Sequence, residues 1–330
     1  MSHRSSQGWW ATIALGTWVA VGIQPELSTA AETNQALVGV LEEVPGVYVG
    51  ESSHFGVRAL FINDAGGWHA FPHECANAEC LALITARYPK ETRWAISFEG
   101  RMLGNVSART PRDFGFYAHI GIQNLSDGQQ APTLGTQSAD YSGFNGTVVY
   151  RPLLATTGAA KPTPAHGGWK LQAVSPRDAE RVWPLFQRLV PLIDDCRLDA
   201  HGEYVPSDGR APQVNELEIA NKWANRFGGA LMHARIRPDV FKECDGPMSH
   251  RSDYWYYREP SGAIWLLPGQ DIQSGDSEPQ ADLIMPLDFV DILGDGRDEA
   301  LFLMAGYDAG GYALFYEDFH KAAIFTWIYH

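Results

Sequence analysis

The stretch Asp288-Phe-Val-Asp291-Ile-Leu-Gly-Asp295-Gly296-Arg-Asp-Glu299 decides the fold class of this 330-residue chain. Its acids Asp291, Asp295 and Glu299 occupy positions 1, 5 and 9 of a nine-residue loop, and a glycine follows the central acid. Glycine permits a left-handed backbone, so oxygens of this loop are predicted to converge on one hard cation. Residues 300–316 then read as strand, glycine-rich turn and strand. The acidic loop is therefore predicted to lead into a β-hairpin.

This loop resembles the calcium loop of FG-GAP repeats, the integrin-alpha and VCBS-like β-propeller repeats in which Asp-x-Asp/Asn-x-Asp-Gly-x-x-Asp/Glu precedes an apolar strand. The resemblance covers residues 288–316 only. It implies a calcium site formed by the side chains of Asp291, Asp295 and Glu299 and the carbonyl of Arg297. It also implies a propeller-like fold.

The loop departs from that pattern at Leu293, which stands where the family has Asp or Asn and which has no side-chain oxygen. Calcium takes six to eight oxygen ligands, so water or Asp288 would have to supply the rest, and we expect weak affinity. The alternative is an acid-rich hairpin turn whose carboxylates accept hydrogen bonds from backbone amides.

The amino end has the layout of a secretory signal peptide. Arg4 precedes an uncharged apolar run at 8–23, and Ser28-Thr-Ala30 ends with small residues. The run of about 16 residues is shorter than the roughly 20 that span a bilayer, so no stable membrane span is expected after cleavage. Residues 1–30 are predicted to be removed, which leaves a mainly β domain at 31–330 in the periplasm or outside the cell.

The composition excludes some partners. A formal net charge of -14 disfavours nucleic acid and anionic membrane surfaces. With 45% hydrophobic and 12% aromatic residues, the chain can form a sizeable core. Exposed rings, of which Tyr254-Trp-Tyr-Tyr257 is the densest run, would suit a protein or glycan partner, although core packing is the default for them.

Short β-prone runs separated by turn residues predict a mainly β fold. We expect a β-propeller-like architecture with one inserted helix, and tandem β-sandwich or barrel domains are the alternative. The inserted helix is predicted to begin at Pro176, after the N-cap Ser175. Residues 123–168 read as long loops, with a domain boundary placed within 155–175. The predicted strands are 46–50, 57–62, 68–71, 80–87, 94–98, 114–122, 147–150, 214–221, 230–236, 254–258, 263–267, 300–304, 312–316 and 323–329.

Four cysteines in an exported chain predict two disulfides. Three pairings are possible, and the favoured one joins Cys75 to Cys80 and Cys196 to Cys244. His69 and His73 lie near the first pair, so a zinc site of reduced thiols and imidazoles is an alternative there.

Two further acidic groups are candidates for function. Residues 194–203 contain a second acidic cluster that reads as a solvated connection or a degenerate cation loop. Glu216 and Glu218 lie two apart on a predicted strand, on the same face as Lys222, and paired carboxylates are the groups that hydrolyse glycosides.

Common hydrolase and nucleotide-binding motifs are absent from the sequence. The leading hypothesis is therefore an exported, non-enzymatic binding or structural protein with a degenerate calcium loop. The alternative hypothesis is a periplasmic or secreted hydrolase, acting on carbohydrate.

Overall fold

The computed structural model shows a mainly β protein in which every strand pairing among the described residues is antiparallel. The predicted signal peptide, Cys75 and Cys244 lie outside the described residues. The structure describes residues 35–44, 53–73, 78–111, 120–141, 147–190, 196–198, 201, 204–206, 210–237, 240, 253–270, 282–306 and 309–328.

The first of three larger sheets, the N-terminal sheet, has seven strands in the order β3-β2-β1-β7-β4-β5, with β6 paired to β2. A short helix, α1 (Ala78–Thr85), connects β3 to β4. The strands are β1 (Ala36–Val44), β2 (His54–Asp64), β3 (Gly67–Ala70), β4 (Thr92–Phe98), β5 (Arg101–Ala108), β6 (Ile122–Asn124) and β7 (Leu153–Gly158).

The second sheet, the helix-covered sheet, has the order β15-β14-β13-β12-β9. The helix α2 (Pro176–Leu189) lies on one of its faces. Cys196–Leu198 and Tyr204–Pro206 form a separate two-stranded ribbon, β10 and β11. The strands of the helix-covered sheet are β9 (Lys170–Leu171), β12 (Leu217–Ala224), β13 (Ala230–Ile236), β14 (Asp253–Arg258) and β15 (Ile264–Leu266).

The third sheet, the middle sheet, has the order β19-β18-β17-β16-β8 and contains the predicted acidic loop between β16 and β17. None of the sheets formed by described residues closes into a barrel. Its strands are β8 (Thr163–Pro164), β16 (Asp282–Asp291), β17 (Glu299–Ala305), β18 (Ala309–Tyr316) and β19 (Lys321–Ile328).

The middle sheet is buried on both faces. Leu301 and Leu303 of β17 pack against the N-terminal sheet, whereas Phe302 and Met304 pack against the helix-covered sheet. Side chains alternate between the two faces of a strand, so a strand with two apolar neighbours reads as a continuous apolar run, as β17 does. The layers are therefore N-terminal sheet, middle sheet, helix-covered sheet and α2.

The segment predicted to hold a domain boundary, 155–175, contributes in turn to each of the three sheets. Strand β7 belongs to the N-terminal sheet, β8 pairs with β16 in the middle sheet, and β9 pairs with β12 in the helix-covered sheet. The prediction of long loops over 123–168 is therefore wrong where β6, β7 and β8 occur. Strand β8, with its proline, lies at a sheet edge, where such residues are tolerated, whereas the mostly buried β7 lies between β1 and β4.

Several predicted strands differ from the structure. Residues 80–87 belong largely to α1, because the sequence Ala-Glu-Cys-Leu-Ala-Leu over 78–83 consists mostly of good helix formers. Within 147–150, Val149 makes only an isolated bridge to Ser138. The strand predicted from Val214 begins at Leu217, after a turn of 3-10 helix at Val214–Glu216.

Other predictions are confirmed. Helix α2 begins at Pro176 after the cap Ser175, whose hydroxyl and backbone N–H both donate to Asp178. The run Tyr254-Trp-Tyr-Tyr257 is buried in β14, so these rings form core rather than a surface for sugars or proteins. Packing between layers, and not ligand recognition, explains this aromatic density.

Candidate functional site

The predicted cation loop is closed by its own first acid. The carboxylate of Asp291 accepts backbone N–H groups from Gly294 at 2.7 Å, Asp295 at 3.1 Å and Gly296 at 2.8 Å. Gly294 and Gly296 have φ of +70° and +86°, a left-handed conformation that suits glycine. These glycines let the chain turn so that three amides point at one buried carboxylate.

The last acid of the loop, Glu299, is 4% exposed. The pKa of this carboxyl is raised to about 8, mainly by burial and also by the nearby charges of Asp291, Asp295 and Asp298, against a lowering by the hydrogen bond from the Ile292 amide. That amide donates to Oε2 at 2.8 Å. Glu299 therefore holds a proton near neutral pH.

The other residues predicted as calcium ligands, Asp295 and Arg297, contact each other within the turn. The Asp295 side chain accepts the N–H of Arg297 at 3.0 Å. Leu293, at the position where the FG-GAP pattern has an oxygen ligand, packs against the core between the N-terminal and middle sheets. Within the described ranges, which include this whole loop, no group of three or more His, Cys, Asp or Glu side chains is arranged to hold a metal ion. The loop has the amide-capping geometry that the sequence left open as an alternative, and calcium binding stays a prediction.

Asp288, expected beside the loop as a further ligand, instead lies within β16 and accepts its hydrogen bonds from outside the loop. Both of its oxygens accept the backbone N–H of Glu99, at 3.0 and 3.2 Å. Burial raises the pKa of Asp288 to about 7, although the Glu99 amide and the charge of Arg151 lower it. Asp288 thus connects the middle sheet to the N-terminal sheet.

A fourth acid of this region, Asp298, was not among the predicted ligands. Its carboxylate accepts the N–H of His166 at 2.5 Å, the N–H of Gly167 at 2.8 Å and the indole N–H of Trp169 at 2.9 Å. A Cβ at position 167 would lie 2.6 Å from Asp298 Oδ2, so only glycine allows this approach. The acidic loop therefore holds the segment between β8 and β9 as well as its own turn.

The carboxylates proposed for glycoside hydrolysis do not form a reactive pair. Glu216 receives two hydrogen bonds from Arg210, at 2.8 and 2.6 Å, and this contact holds its pKa below the usual range. Glu218 forms an ion pair with Arg235 on the neighbouring strand. A general acid needs a raised pKa, which is the opposite of what Glu216 has.

The predicted shared face of Glu218 and Lys222 is wrong because β12 contains a bulge. Glu218 lies opposite Arg235 and Lys222 opposite Met232, and the register shifts between Ile219 and Asn221. One extra residue in a strand moves all later side chains to the other face. Lys222 therefore lies on the α2 face, away from Glu218.

The candidate zinc ligands have separate contacts. His69 lies 3.1 Å from Asp64, and His73 Nδ1 lies 2.8 Å from the carbonyl of Phe71. Cys80 is in α1 and Cys196 is in β10, but their side chains are not described. The zinc and disulfide predictions therefore stay predictions. Most of the acidic cluster at 194–203 lies outside the described residues.

Comparison of the chain with protein-family models, with curated proteins and with solved structures returns no match. Across the part of the chain that the structure describes, no helix has the length and apolar character needed to cross a membrane. The local geometry of the residues therefore carries the functional argument.

Proposed function

We propose that this chain is an exported, non-catalytic protein with a binding or structural role, in which the acidic loop 291–299 stabilises the C-terminal hairpins. The observation that carries this proposal is the carboxylate of Asp291, which accepts three amides of its own loop. The acids of this site work as hydrogen-bond acceptors for the backbone, which is a structural role.

We further propose a propeller-like arrangement. Strands β12 to β15 and β16 to β19 each form a meander of four consecutive antiparallel strands. A propeller blade has this topology, and neighbouring blades pack face to face. Sheet-on-sheet packing in a tandem sandwich is the alternative architecture for the same meanders.

Calcium belongs to the proposal as a weak ligand of the loop. A carboxylate has about four acceptor positions, and Asp291 uses three of them on amides. Glu299 could contribute only after it loses its proton, so a bound cation and that proton compete. We therefore expect calcium to act more strongly above the Glu299 pKa of about 8 than below it.

The test is calorimetric titration with calcium, together with melting in calcium or chelator at pH 6 and at pH 9. The proposal expects a rise in melting temperature at the higher pH that Asp291→Asn abolishes. Asp127→Asn is the matched control, because Asp127 is an exposed acid of another turn. No heat and no shift at either pH would remove calcium and leave the amide-capped turn alone.

Export and disulfide pairing are part of the same proposal. The layout of residues 1–30 supports export, and an even number of cysteines supports the pairs Cys75–Cys80 and Cys196–Cys244. Recovery of the chain without residues 1–30 from outside the cytoplasm tests export, and thiol titration of that denatured protein tests the disulfides, for which we expect no reactive thiol. Four thiols in protein purified from outside the cytoplasm would contradict the pairing.

The alternative function, a hydrolase acting on carbohydrate, has less support. Its candidate acid Glu216 is ion-paired with Arg210 and has a lowered pKa. Inverting and retaining glycosidases both need one carboxyl group that is protonated at working pH. Measurable glycosidase activity that Glu216→Gln abolishes would restore this alternative.

A further inference from the structure

A groove of about 550 Å³ lies beside α2, and its lining includes no residue of the acidic loop. Its walls come from α2, from the turn between β12 and β13, and from the hairpin of β14 and β15. Pockets for small ligands have volumes of about 300–1,000 Å³. The lining residues that matter are Arg181, Leu185, Gly228, Arg258, Pro260 and Ile264.

Arg258, which lines the groove, shares a buried carboxylate with a second cation. The carboxylate of Asp178 is buried, and its Oδ2 accepts Lys222 Nζ at 2.9 Å as well as two donors of Ser175. The second cation, Arg258, lies 3.9 Å from the other oxygen of Asp178, beyond hydrogen-bonding distance. Two cations therefore share one carboxylate, and Lys222 has the closer contact.

The Arg258 guanidinium is held in place with most of its donors unused. It donates one hydrogen bond, to the carbonyl of Gly228 at 3.2 Å, and the side chain is 18% exposed. A guanidinium has five N–H donors in a rigid plane that matches a carboxylate. An anion in the groove could accept hydrogen bonds from these unused donors.

A second guanidinium comes from the helix side. Arg181 lies on the exposed face of α2, and its side chain makes no hydrogen bond or ion pair with any described residue. The acid beside Arg258 in the sequence, Glu259, accepts a hydrogen bond from the Ser261 hydroxyl. The chain as a whole has a net charge of -14, whereas this groove is lined by two arginines.

The rest of the groove is apolar, with Leu185 on the helix and Pro260 and Ile264 on the hairpin. Ile264 lies directly opposite Arg258 in the pairing of β14 with β15, so its side chain is on the same face of the sheet. An apolar wall next to two guanidinium groups fits a ligand that has one anionic group and an apolar body.

We infer that this groove binds a small carboxylate-bearing molecule with an apolar body. The carboxylate lies between Arg181 and Arg258, and the apolar part lies against Leu185, Pro260 and Ile264. The inference rests on the binding role proposed above, to which it gives a ligand class and a site. It does not depend on whether the acidic loop takes calcium.

The test uses the full mature chain and calorimetric titration with 4-phenylbutyrate, its neutral amide 4-phenylbutanamide, and inorganic phosphate. We expect the carboxylate to bind, and the amide to bind at least about tenfold more weakly because charge-assisted hydrogen bonds are lost. Inorganic phosphate should also bind more weakly than the carboxylate, because it has no apolar body.

Three variants locate the binding. Arg181→Gln and Arg258→Gln should each weaken binding of the carboxylate by about tenfold or more. Arg181 is exposed, so its substitution is not expected to unfold the protein. Arg188→Gln, an exposed arginine later on α2 that does not line the groove, should bind as the unmodified chain does.

Three results would overturn the inference: equal affinity for the carboxylate and the amide, unchanged affinity in Arg181→Gln, or no heat at millimolar carboxylate. Asp291→Asn separates the two proposals, because the acidic loop does not line the groove. Loss of the calcium response with intact carboxylate binding counts against the loop alone. Intact calcium response with no carboxylate binding counts against the groove alone.

Discussion

Two buried acids of this protein, Glu42 and Glu299, have opposite surroundings. Glu42 on β1 accepts two hydrogen bonds from the guanidinium of Arg58, at 2.9 and 2.7 Å, and one from the hydroxyl of Tyr312 at 2.5 Å. Glu299 accepts one amide and lies among other acids. At Glu42 a counter-ion offsets the cost of burying the charge. At Glu299 a bound proton removes the charge.

This difference predicts how the stability should respond to mutation and to pH at each of the two sites. An ion pair buried between neighbouring strands of one sheet leaves an uncompensated charge when one partner is removed. A protonated acid needs no partner cation, but it becomes unfavourable as the pH rises. Removal of a partner side chain should therefore change the stability most at Glu42. A rise in pH should change the stability most at Glu299.

The largest effect is expected from Arg58→Met. This change leaves Glu42 buried without its cation and should lower the free energy of unfolding by about 4 kcal/mol. It also removes the stacking of the guanidinium on Trp327, whose ring centroid lies 4.1 Å away. Urea denaturation measures the loss. Arg93→Met, on the exposed face of β4, is the matched control, and equal losses in both variants would refute the ion-pair account.

The next largest effect is a pH dependence of the free energy of unfolding, which comes from Glu299. Its pKa is about 8 in the folded protein and near 4.5 when unfolded, so the folded state binds the extra proton between these values. The stability from this group is complete below about pH 4.5 and is lost as the pH rises towards 8, by about 2 kcal/mol between pH 6 and pH 8. Asp288, with a folded pKa of about 7, acts in the same direction.

Glu299→Gln should flatten this dependence, because the amide does not titrate. Denaturant unfolding at pH 5, 6, 7 and 8 compares the variant with the parent chain. A variant whose stability falls with pH as steeply as that of the parent would show that Glu299 is not the titrating group.

An effect of similar size is expected from substitution of the first acid of the loop. Asp291→Ala leaves the amides of residues 294–296 without their acceptor and should cost about 2 kcal/mol of unfolding free energy. Asp295→Ala removes one exposed contact, to the Arg297 amide, and should cost less than about 0.5 kcal/mol. Similar losses in the two variants would contradict the central role of Asp291.

The smallest effect is expected at Glu218, whose ion pair with Arg235 is partly exposed. Glu218→Gln should change the free energy of unfolding by less than about 1 kcal/mol. A loss comparable to that of Arg58→Met would mean that exposed and buried ion pairs contribute alike in this fold, against the comparison above.

Local pattern was sufficient to predict much of the C-terminal half. The strands at 230–236, 300–304 and 312–316 and the start of α2 at Pro176 are confirmed, because alternation, apolar runs and capping are properties of neighbouring residues. The helix α1 was missed because a short run of alanine and leucine suits either structure. No sequence signal marked the bulge in β12, which depends on pairing with β13.

The sequence predicted the position of the acidic loop 291–299 but not the atoms that its carboxylates contact. The acids of 291–299 do form one turn, yet three of them accept amides of the turn itself and Asp298 accepts amides of residues 166 and 167, and a residue pattern does not show where oxygens point. Contacts across layers, such as Asp288 with the amide of Glu99 and Tyr312 with Glu42, join residues more than 180 positions apart. Only the folded arrangement of the sheets reveals them.

Amide hydrogen exchange at Gly294, Asp295 and Gly296 tests the central claim, that the acidic loop is closed by its own backbone amides. We expect slow exchange of these three amides in chelator, much slower than that of the exposed loop glycine Gly135, whose N–H has no hydrogen-bond partner among the described residues, and loss of this protection in Asp291→Ala. Exchange at unprotected rates in chelator, with slowing only after calcium is added, would contradict it.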